Sequence, residues 1–562
     1  QVPPGTTDPA TTGTEVTLEV RGNKMFFSFR RVNSLPKLAW CATLNRGSEM
    51  VKVLHGPWVE VRDAFFVEGV WPGSFTEGLF DQSCLFMGSG ARIAENGVLF
   101  CSPCHPLERL HLLKTGDQII LSPSLCFLLS KAEQSLDLNY PFYHADFISF
   151  VAEKRNHVSS IPLASGKRLL VFHHRNLLID KHLTIEILPK EESPDFNDFL
   201  SYYRFLVQGL SELKKNADSE DRLINYAFTA TISTGYDSPC CAALAKDAGC
   251  TEAVTFKTAR SESGGEHDLE DSGIEIGRKL GLQVQEYDRM TYRKRDDFPE
   301  VEFVACGDQG QDLAMIAFEE AFRQRMVTTG VHGDVMWSLE PHYAPSRFLR
   351  RKVERDLIRH DPGLCSLVEF RTRVGFIHVP IPFMGGMSYP SVYRISHSEE
   401  MLPWRLGTRY DRPIPRRILE EKGVNRKDFG QIKKATTVLL NRQNTILSRM
   451  SPRSAQSFET FYQRAKNERS RYVQSHAQRM FRLYWIQARM IFVLKKVFQK
   501  AGIPFLVHGP ISFKFSQSPD RPSFLVHWGL SLIKKRYNSE SGSVEYPTED
   551  IHFLPVHSRK GH

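Results

Sequence analysis

The amino-acid sequence lacks any run of about 18 uninterrupted apolar residues, the length that a membrane-spanning helix needs. Its first residues, QVPPGTTDPATTGTEV, also lack the basic and then apolar order of a secretory signal peptide. With 41% hydrophobic and 24% charged residues, the composition is that of a globular protein. We therefore expect a cytoplasmic protein without a membrane span.

Cysteine is sparse for a chain of this size. Ten cysteines are scattered over 562 residues, without the dense spacing of a secreted scaffold held together by disulfides. A chain this long has room for two or three domains with their own cores, so we expect reduced thiols. The CxxC pair of Cys101 and Cys104 has no second CxxC or histidine pair at zinc-finger spacing, and we predict no metal site there.

Acidic residues are nearly absent from the last fifth of the chain. Between residues 431 and 537, twenty lysines and arginines stand against three acids, whereas the whole chain carries a net charge of +9. The remainder of the chain is therefore mildly acidic, near −8. Two interpretations stay open for this basic region: a binding surface for an anionic partner, and a solvated helix face.

Short β-type runs dominate from residue 15 to about residue 189, and they predict an α+β N-terminal domain over residues 1–195. The runs are VTLEV, KMFFSF, LAWCATL, GVLFCS, DQIILS, RLLVFHHRNLLI and LTIEILP. A polar joint, KEESPDFND, follows them. Helical apolar spacing then predicts a helix over residues 199–215.

Strands and helices alternate in the middle of the chain. The predicted strands are NYAFTATIS, EAVTF, QVQEYD and MVTTG, and the predicted helices span residues 239–247, 268–280 and 313–325. Such alternation is typical of an α/β fold with a doubly wound parallel sheet, which we assign to a domain over residues 196–500. Ligands of such sheets bind at the carboxyl ends of the strands.

The C-terminal part is helical and basic, and we treat residues 501–562 as an extension. Its longest predicted helix spans residues 457–500. Short strands and turns are expected over residues 502–530, and a tail after them.

The segment STGYDS, residues 233–238, follows a predicted strand and precedes a helix. The small side chains of Ser233, Thr234 and Gly235 let backbone N–H groups approach an anion at the positive end of the helix. Asp237 would repel phosphate unless a divalent cation lay between them, and Mg²⁺ bound by one or two carboxylates and phosphate oxygens is the usual solution. The turn therefore predicts a second acid elsewhere; the alternative is an ordinary turn in which Asp237 caps the helix.

STGYDS resembles the SGGxDS signature of the ATP-pyrophosphatase (PP-loop) superfamily, whose members split ATP into AMP and pyrophosphate. Thr234 departs from the signature, which has glycine there. The resemblance implies that the residues from Ser233 to Ser238 hold the phosphates of ATP. It also implies that Phe256, Lys257 and Thr258, in TFKT at the next strand end, lie near adenine and ribose.

Two further segments resemble the asparagine synthetases of this superfamily. DLEDSGIEIGRKLG is similar to their DExxxAxxVAxxLG helix, with Asp268 matching and Leu269 departing. VTTGVHGDVMW is similar to VLSGxGxDELF, which aligns Gly330 with the glycine at the strand end. The resemblance makes Asp334 the second metal carboxylate beside Asp237.

RPIPRRILEEKGVNRKDFGQIKKATT resembles the K-x-x-L-R and R-x-K stretch of the same enzymes. The resemblance implies that Lys433 or, one position later, Lys434 meets the phosphates and stabilises charge on the departing pyrophosphate. Without the resemblance, a lysine in a basic loop is ordinarily a solvated surface residue.

The N-terminal region, from GVLFCSPCHPLERL onward, resembles the glutamine-hydrolysing (Ntn-type) domains of asparagine synthetases. Those domains use a free N-terminal cysteine as both nucleophile and base. Here Gln1 stands first, and the first cysteine, Cys41, lies inside an apolar run. We therefore expect a degenerate glutaminase-like domain that does not hydrolyse glutamine.

The whole pattern resembles synthetases with a degenerate glutaminase domain, of the β-lactam synthetase and lasso-peptide cyclase type. It implies an enzyme that uses ATP and Mg²⁺ to adenylate a small-molecule or peptide carboxylate and forms an amide or lactam. The Tyr–Glu pair of the lactam enzymes has no secure counterpart, although Tyr343, Tyr389 and Glu399 lie in the right region. Specificity is expected to lie in ACGDQGQDLAM and in the loops after residue 341.

Two alternatives stay open. The first is a PP-loop enzyme that modifies tRNA or a nucleobase, with the basic region and its interleaved aromatic side chains binding phosphates. Those aromatic residues are Tyr472, Phe481, Tyr484 and Trp485. The second is a nucleotide-binding protein without catalysis.

Overall fold

The structure, a computed structural model, describes residues 24–147, 158–261, 268–307, 309–339, 366–408, 410–438, 440, 445–501 and 512–538. These residues have mixed α/β content and form several sheets, one of which is parallel. The domain boundaries and the domain types assigned in the sequence analysis remain predictions.

The strands are β1 (Phe26–Arg31), β2 (Trp40–Asn45), β3 (Met50–His55), β4 (Glu60–Val61), β5 (Phe65–Val70), β6 (Met87–Ala94), β7 (Gly97–Cys101), β8 (Arg109–Thr115), β9 (Gln118–Ser122), β10 (Val158–Pro162), β11 (Arg168–His173), β12 (Asn176–Ile179), β13 (Ile185–Leu188), β14 (Ala227–Thr231), β15 (Glu252–Phe256), β16 (Thr258–Ser261), β17 (Asp268–Glu270), β18 (Gln283–Tyr287), β19 (Arg325–Thr329), β20 (Ile377–Pro380) and β21 (Lys434–Ala435).

The helices are α1 (Leu125–Lys131), α2 (Phe199–Ala217), α3 (Asp237–Asp247), α4 (Ile274–Lys279), α5 (Val301–Val304), α6 (Glu319–Phe322), α7 (Gly333–Met336), α8 (Val368–Val374), α9 (Tyr389–His397), α10 (Pro413–Glu421), α11 (Ile446–Arg449), α12 (Pro452–Glu468), α13 (Arg471–Lys500) and α14 (Arg521–Asn538). Among the described segments, no helix combines the length and apolar character needed to cross a membrane.

Two sheets form the N-terminal part of the structure. One has the order β1-β3-β2-β9-β8-β11-β10 and the other β13-β12-β7-β6-β5-β4, with antiparallel pairing except between β1 and β3. Successive side chains of a strand point to opposite faces of its sheet. In β9, Ile119 and Leu121 enter the core between the two sheets, whereas Ile120 faces a second core that includes α1. Most of the predicted β runs lie in these strands, while VTLEV lies outside the described residues.

The parallel sheet has the order β18-β15-β14-β19-β20. All its neighbouring strands pair in parallel, which confirms the prediction of a parallel sheet in this part of the chain. The chain passes from β14 through α3 to β15 and β18, and then returns to the other side of β14 as β19. The strand order therefore reverses at β14, and a crevice opens at such a reversal, beyond the carboxyl ends of the strands.

Helix α2 leads into this sheet. It begins after Asp198, whose carboxylate accepts from the backbone N–H of Ser201 at 2.7 Å, while the Ser201 hydroxyl lies 3.2 Å from the backbone N of Asp198. This reciprocal pair is a capping box, which satisfies backbone N–H groups that a helix start leaves without partners. The predicted helix over residues 199–215 is thus confirmed, with two more residues at its end.

Two predicted helices are wrong in part, because tertiary contacts override the local spacing. Residues 268–270 form β17, which pairs with β16, so the helix predicted over residues 268–280 is restricted to α4. The helix predicted over residues 313–325 is a 3-10 turn followed by the single turn of α6, and β19 already begins at Arg325. Phe318, at the end of that turn, stacks on Phe256 with ring centroids 4.2 Å apart.

The C-terminal predictions need two corrections. The helix predicted over residues 457–500 is divided into α12 and α13 at Arg469, whose backbone is extended. Its guanidinium lies 3.7 Å from the ring centroid of Phe524 and donates to the carbonyl of Leu138. Residues 521–538, expected in part as strands and turns, form α14 because Phe524, Trp528 and Leu532 recur every four residues and are buried.

A buried histidine in α14 makes folding stability depend on pH. Burial lowers the pKa of His527 to about 3. Below about pH 6.5 the imidazole of His527 is protonated in the unfolded chain, whereas in the folded chain it stays neutral down to about pH 3. The free energy of unfolding therefore decreases as the pH falls from about 6.5 to about 3. Between pH 6 and pH 4 the free energy of unfolding is therefore expected to fall less steeply in His527→Phe than in the unmutated chain, by about 1.4 kcal/mol per pH unit.

Urea unfolding at pH 7 and pH 5 measures that slope. If His527→Phe loses as much stability between the two pH values as the unmutated chain, the histidine is protonated in the folded state and the interpretation is wrong.

Candidate functional site

A cavity of about 910 Å³ lies at the carboxyl ends of the parallel strands, where the strand order reverses. Its wall takes residues from the ends of β14, β15 and β19, from the turn before α3, and from the segment around β21. Leu107, from the N-terminal part, also lines it. Of the residues predicted from sequence, the wall includes Ser233, Gly235, Asp237, Ser238, Phe256, Gly330, Asp334, Lys433 and Lys434.

The turn between β14 and α3 is held by its own hydroxyl groups. The hydroxyls of Ser233 and Ser238 are 2.7 Å apart, and the backbone N–H of Gly235 donates to the Ser233 hydroxyl at 3.2 Å. Helix α3 begins at Asp237, which is its first helical residue and makes no cap. The alternative of an ordinary helix cap is therefore wrong, and the carboxylate of Asp237 is available for other partners.

Asp237 is paired with a cation that the sequence analysis missed. Arg412, which is almost fully buried, donates from Nη1 to Oδ2 of Asp237. Oδ1 of the same carboxylate is buried and makes no hydrogen bond within the described part of the chain. Burial raises the pKa of Asp237, against the opposing attraction of Arg412 and Lys433.

Asp334 stands in α7, directly after β19. Its Oδ2 accepts from Nζ of Lys433 at 3.3 Å. Burial would raise the pKa of Asp334, but the positive charges of Lys433 and Arg412 outweigh it and hold this pKa well below its usual range. The charges of Asp237 and Asp334 also act on each other, since Asp334 contributes to the raised pKa of Asp237. The two predicted carboxylates therefore share one electrostatic site.

Glycines bring the end of β19 against the start of α3. A Cβ on Gly330 would lie 2.6 Å from the carbonyl carbon of Asp237 and 2.6 Å from the backbone N of Ser238. A Cβ on Gly333 would lie 2.6 Å from the carboxyl carbon of Asp237. Only glycine permits this approach, which is what places Asp334 beside Asp237.

Replacing Gly330 by alanine is expected to cost about 1–3 kcal/mol of unfolding free energy, because backbone atoms cannot yield to the new methyl group. Thermal or urea unfolding measures the loss. Gly235→Ala is the matched control, since its Cβ would come only within 3.4 Å of the Ser233 hydroxyl, an ordinary contact. Equal stability of the two variants would contradict the close approach.

Thr234, the departure from the glycine signature, has a defined role in the fold. Its backbone N and hydroxyl donate to Oδ1 of Asp271 at 3.2 and 2.7 Å. Nζ of Lys434 lies 3.0 Å from the same oxygen and donates to the Thr234 hydroxyl at 2.5 Å. The strand pairing of β21 with β16 holds Lys434 in place. Thr234, Asp271 and Lys434 thus form one polar cluster at the cavity edge.

The two candidate lysines occupy different positions. Lys433 pairs with Asp334, and Lys434 pairs with Asp271. Both line the cavity, so the structure brings them together with the turn and with both carboxylates. Arg412 does not line the cavity; it is buried and pairs with Asp237.

The remaining predicted residues divide into those near the cavity and those away from it. Phe256 lines the wall and stacks on Phe318, which also lines it. Lys257 is exposed, and its carbonyl accepts from the backbone N–H of Asp271. Thr258 donates from its hydroxyl to Asp268 at 3.1 Å. Neither Lys257 nor Thr258 is part of the cavity wall.

Tyr389 and Glu399, two of the residues considered for a Tyr–Glu pair, are not brought to the site. Tyr389 begins α9 and is buried, Glu399 is exposed in a 3-10 turn, and neither lines the cavity. Tyr343 lies outside the described residues.

Arg412, Asp271 and Arg416 are the polar partners that the sequence analysis missed. Arg412 directly precedes α10 and has a non-helical backbone, whereas Arg416 lies within the helix. Arg416 donates to the hydroxyl of Tyr236 and its guanidinium lies 5.1 Å from the Tyr236 ring centroid. The sequence carries no signal for these pairings, because burial of the two arginines against anionic and aromatic partners depends on the fold.

The residues present fit a single Mg²⁺ ion. No group of three or more histidine, cysteine, aspartate or glutamate side chains that could hold a metal occurs in the described ranges. Two carboxylates, however, are what Mg²⁺ takes from a protein when phosphate oxygens and water complete its shell. The buried, unpartnered Oδ1 of Asp237 is a free oxygen ligand at this place. Asp237 and Asp334 are thus the residues that would hold the ion.

The arrangement can bind a polyanion. A helix N-terminus, small side chains in the preceding turn and the two lysines of the wall favour negative charge, while two carboxylates provide a place for a cation between them. Comparison with protein-family models and with curated proteins finds no match to this chain.

Proposed function

We propose that this protein is an ATP-dependent synthetase that adenylates a substrate carboxylate and releases pyrophosphate. The observation that carries the proposal is the meeting of Asp237, Asp334, Lys433 and Lys434 around one cavity at the strand-order reversal. These four residues come from three separate segments that resemble the asparagine synthetases in the same chain order. A chance likeness of short motifs would not require them to share a cavity.

The chemistry follows from the charges at the cavity. The substrate carboxylate oxygen attacks the α-phosphorus of ATP, the bond to the bridging oxygen breaks, and pyrophosphate leaves. Lys433 and Lys434, which line the cavity, would hold the phosphates and stabilise the charge that grows on the leaving group. Bound Mg²⁺ would add further neutralisation of pyrophosphate. An amine then displaces AMP from the adenylate and forms the amide, at a rate raised by its being held in place.

Cys41 is not placed to act as a nucleophile. It lies in β2, is buried, and has a pKa raised by burial to about 12. A thiol of this kind is not a nucleophile at neutral pH. On the resemblance to asparagine synthetases we include a degenerate glutaminase-like domain in the proposal, with ammonia or a substrate amine as the acceptor.

Nucleotide binding and turnover can be tested in order. Calorimetry with ATP, with and without Mg²⁺, is expected to give binding that Mg²⁺ strengthens. Candidate carboxylates, including small molecules that co-purify with the protein, are then added. The right carboxylate is expected to cause exchange of labelled pyrophosphate into ATP and formation of AMP. Formation of ADP and phosphate in place of AMP would overturn the proposal.

One observation favours a second candidate, a nucleotide-binding protein without catalysis. The cations discussed for the site are already paired with carboxylates: Lys433 with Asp334, Lys434 with Asp271 and the buried Arg412 with Asp237. A ligand would have to exchange these partners before the cations could act on phosphate. Tight ATP binding without AMP formation from any carboxylate tested would select this candidate.

A further inference from the structure

Helix α13 is long, cationic and weakly covered by the other described residues. Its 30 residues include seven lysines and arginines and no acidic residue. Ala477, near its start, is buried, but many large apolar side chains further along are exposed. Such an exposed apolar patch on a globular protein marks a surface that binds another protein or a membrane.

The helix has an inner and an outer face. The inner face consists of residues that are buried or half-buried and recur with spacings of four and three, namely Ala477, Phe481, Tyr484, Ala488 and Ile491. The outer face has the same spacings and is exposed by 47–58%; its residues are Leu483, Ile486, Met490, Val493 and Val497. The two sets lie on opposite sides of an α-helix. The outer face is therefore a continuous apolar stripe that points away from the part of the protein that the structure describes.

Three cations border this stripe on one side. Arg482, Arg489 and Lys496 follow each other at intervals of seven residues, and all three are exposed. Toward the end of the helix, every residue from Phe492 to Val497 is exposed, so apolar and cationic side chains there point in all directions. A protein partner that covered one stripe would leave the others in water.

Charge and chemistry select the occupant. A second copy of α13 would offer no acidic side chain to Arg482, Arg489 and Lys496, because the helix has none. Nucleic acid would satisfy the cations but would leave the aliphatic stripe in water. Anionic lipid satisfies both, because headgroups take the charges while the stripe enters the boundary between headgroups and acyl chains.

We propose that α13 is a membrane-surface helix, which places its outer stripe into the headgroup boundary of an anionic bilayer. The long stems of Arg482, Arg489 and Lys496 reach from the edge of the stripe to the phosphates. The helix lies along the surface and does not cross the bilayer, in keeping with the absence of a spanning helix from the described segments. This binding is independent of the nucleotide site.

Flotation of the full chain with lipid vesicles tests the proposal. The protein is expected to float with vesicles of phosphatidylcholine and phosphatidylserine, and roughly tenfold less with phosphatidylcholine alone. Added salt is expected to weaken binding, because the cations are exposed.

Variants separate the outer face from unspecific effects. The triple variant Ile486→Glu, Met490→Glu and Val493→Glu is expected to lose roughly tenfold or more of its vesicle binding. Leu223→Glu is the matched control, because Leu223 is equally exposed at 55% but lies between α2 and β14. Thermal unfolding of both variants should match that of the unmutated chain, because the changed side chains are solvent-exposed.

Four results would overturn the proposal: equal binding to neutral and anionic vesicles, unchanged binding by the triple variant, binding to RNA but not to vesicles, and a dimer in solution that the triple variant dissociates while vesicle binding is absent. Nucleotide binding by the triple variant should stay as in the unmutated chain. If the protein shows no synthetase activity, vesicle binding can still be tested. If it does not bind vesicles, the synthetase activity can still be tested.

Discussion

Replacing Arg371 by methionine is expected to lower the free energy of unfolding by about 3–5 kcal/mol, because it leaves two buried carboxylates without their cation. Arg371, in α8, donates to Glu68 at 2.6 and 3.0 Å and to Glu108 at 2.7 and 2.8 Å. All three side chains are at most 3% exposed. Glu68 and Glu108 belong to the N-terminal part, so this cluster joins it to the region of the parallel sheet.

Urea unfolding at neutral pH measures the loss. Arg323→Met is the matched control, because Arg323 forms an exposed pair with Glu320 and its loss should change stability by less than about 0.5 kcal/mol. Adding Glu68→Gln and Glu108→Gln to Arg371→Met is expected to restore much of the stability, since the buried charges are then removed on both sides. A loss below about 1 kcal/mol for Arg371→Met would mean that the two carboxylates find water or other partners.

The same variant has a defined pH dependence. Burial raises the pKa of Glu68 even with Arg371 present. A carboxyl whose folded pKa is above its unfolded value destabilises the fold when it is ionised, and this cost is relieved as the pH falls through the folded pKa. The deficit of Arg371→Met relative to the unmutated chain is therefore expected to shrink as the pH is lowered toward the unfolded pKa.

The second large effect concerns the carboxylates of the cavity. Under the proposed function, Asp237→Asn is expected to reduce pyrophosphate exchange by about 10²–10³-fold, the usual effect of removing one preorganised electrostatic group. Asp334→Asn is expected to act in the same direction. Asp268→Asn is the control, because Asp268 pairs with Arg289 and Thr258 outside the cavity and should leave exchange nearly unchanged.

Loss of fold must be separated from loss of chemistry in this experiment. Arg412 is buried and would lose its partner in Asp237→Asn, so unfolding has to be measured in parallel. A double variant with Arg412→Gln is expected to recover stability but not exchange, because it removes the unpaired charge without restoring the carboxylate. Unchanged exchange in Asp237→Asn would remove Asp237 from the proposed metal site.

The position of the site could be predicted from the sequence because it follows from local patterns. The alternation of strands and helices around residues 227–329 indicates a parallel sheet, and parallel strands bring their carboxyl ends to one edge. Asp237 and Asp334 each follow such an end, and the choice of Asp334 as the second carboxylate came from the resemblance to asparagine synthetases.

The partners of these residues could not be predicted in the same way. Arg412 reaches Asp237 across 175 residues, and Asp271 reaches Thr234 across 37. Side-chain pairs at such separations depend on how helices and loops are placed in space, which periodicity does not encode. The helix predicted over residues 268–280 is wrong in part for the same reason, since β17 exists only because β16 lies beside it.

The largest hydrophobic cluster of the described residues joins regions that the sequence analysis assigns to different domains. Leu113 and Ile120 from the N-terminal sheets, Val327 from the parallel sheet and Trp528 from α14 all belong to it. The N-terminal sheets also have a core of their own, which contains Ile119 and Leu121, but in the largest cluster side chains from all three regions pack together. Their sequences are therefore constrained to change together, since a substitution that alters shape on one side needs a compensating substitution on the other.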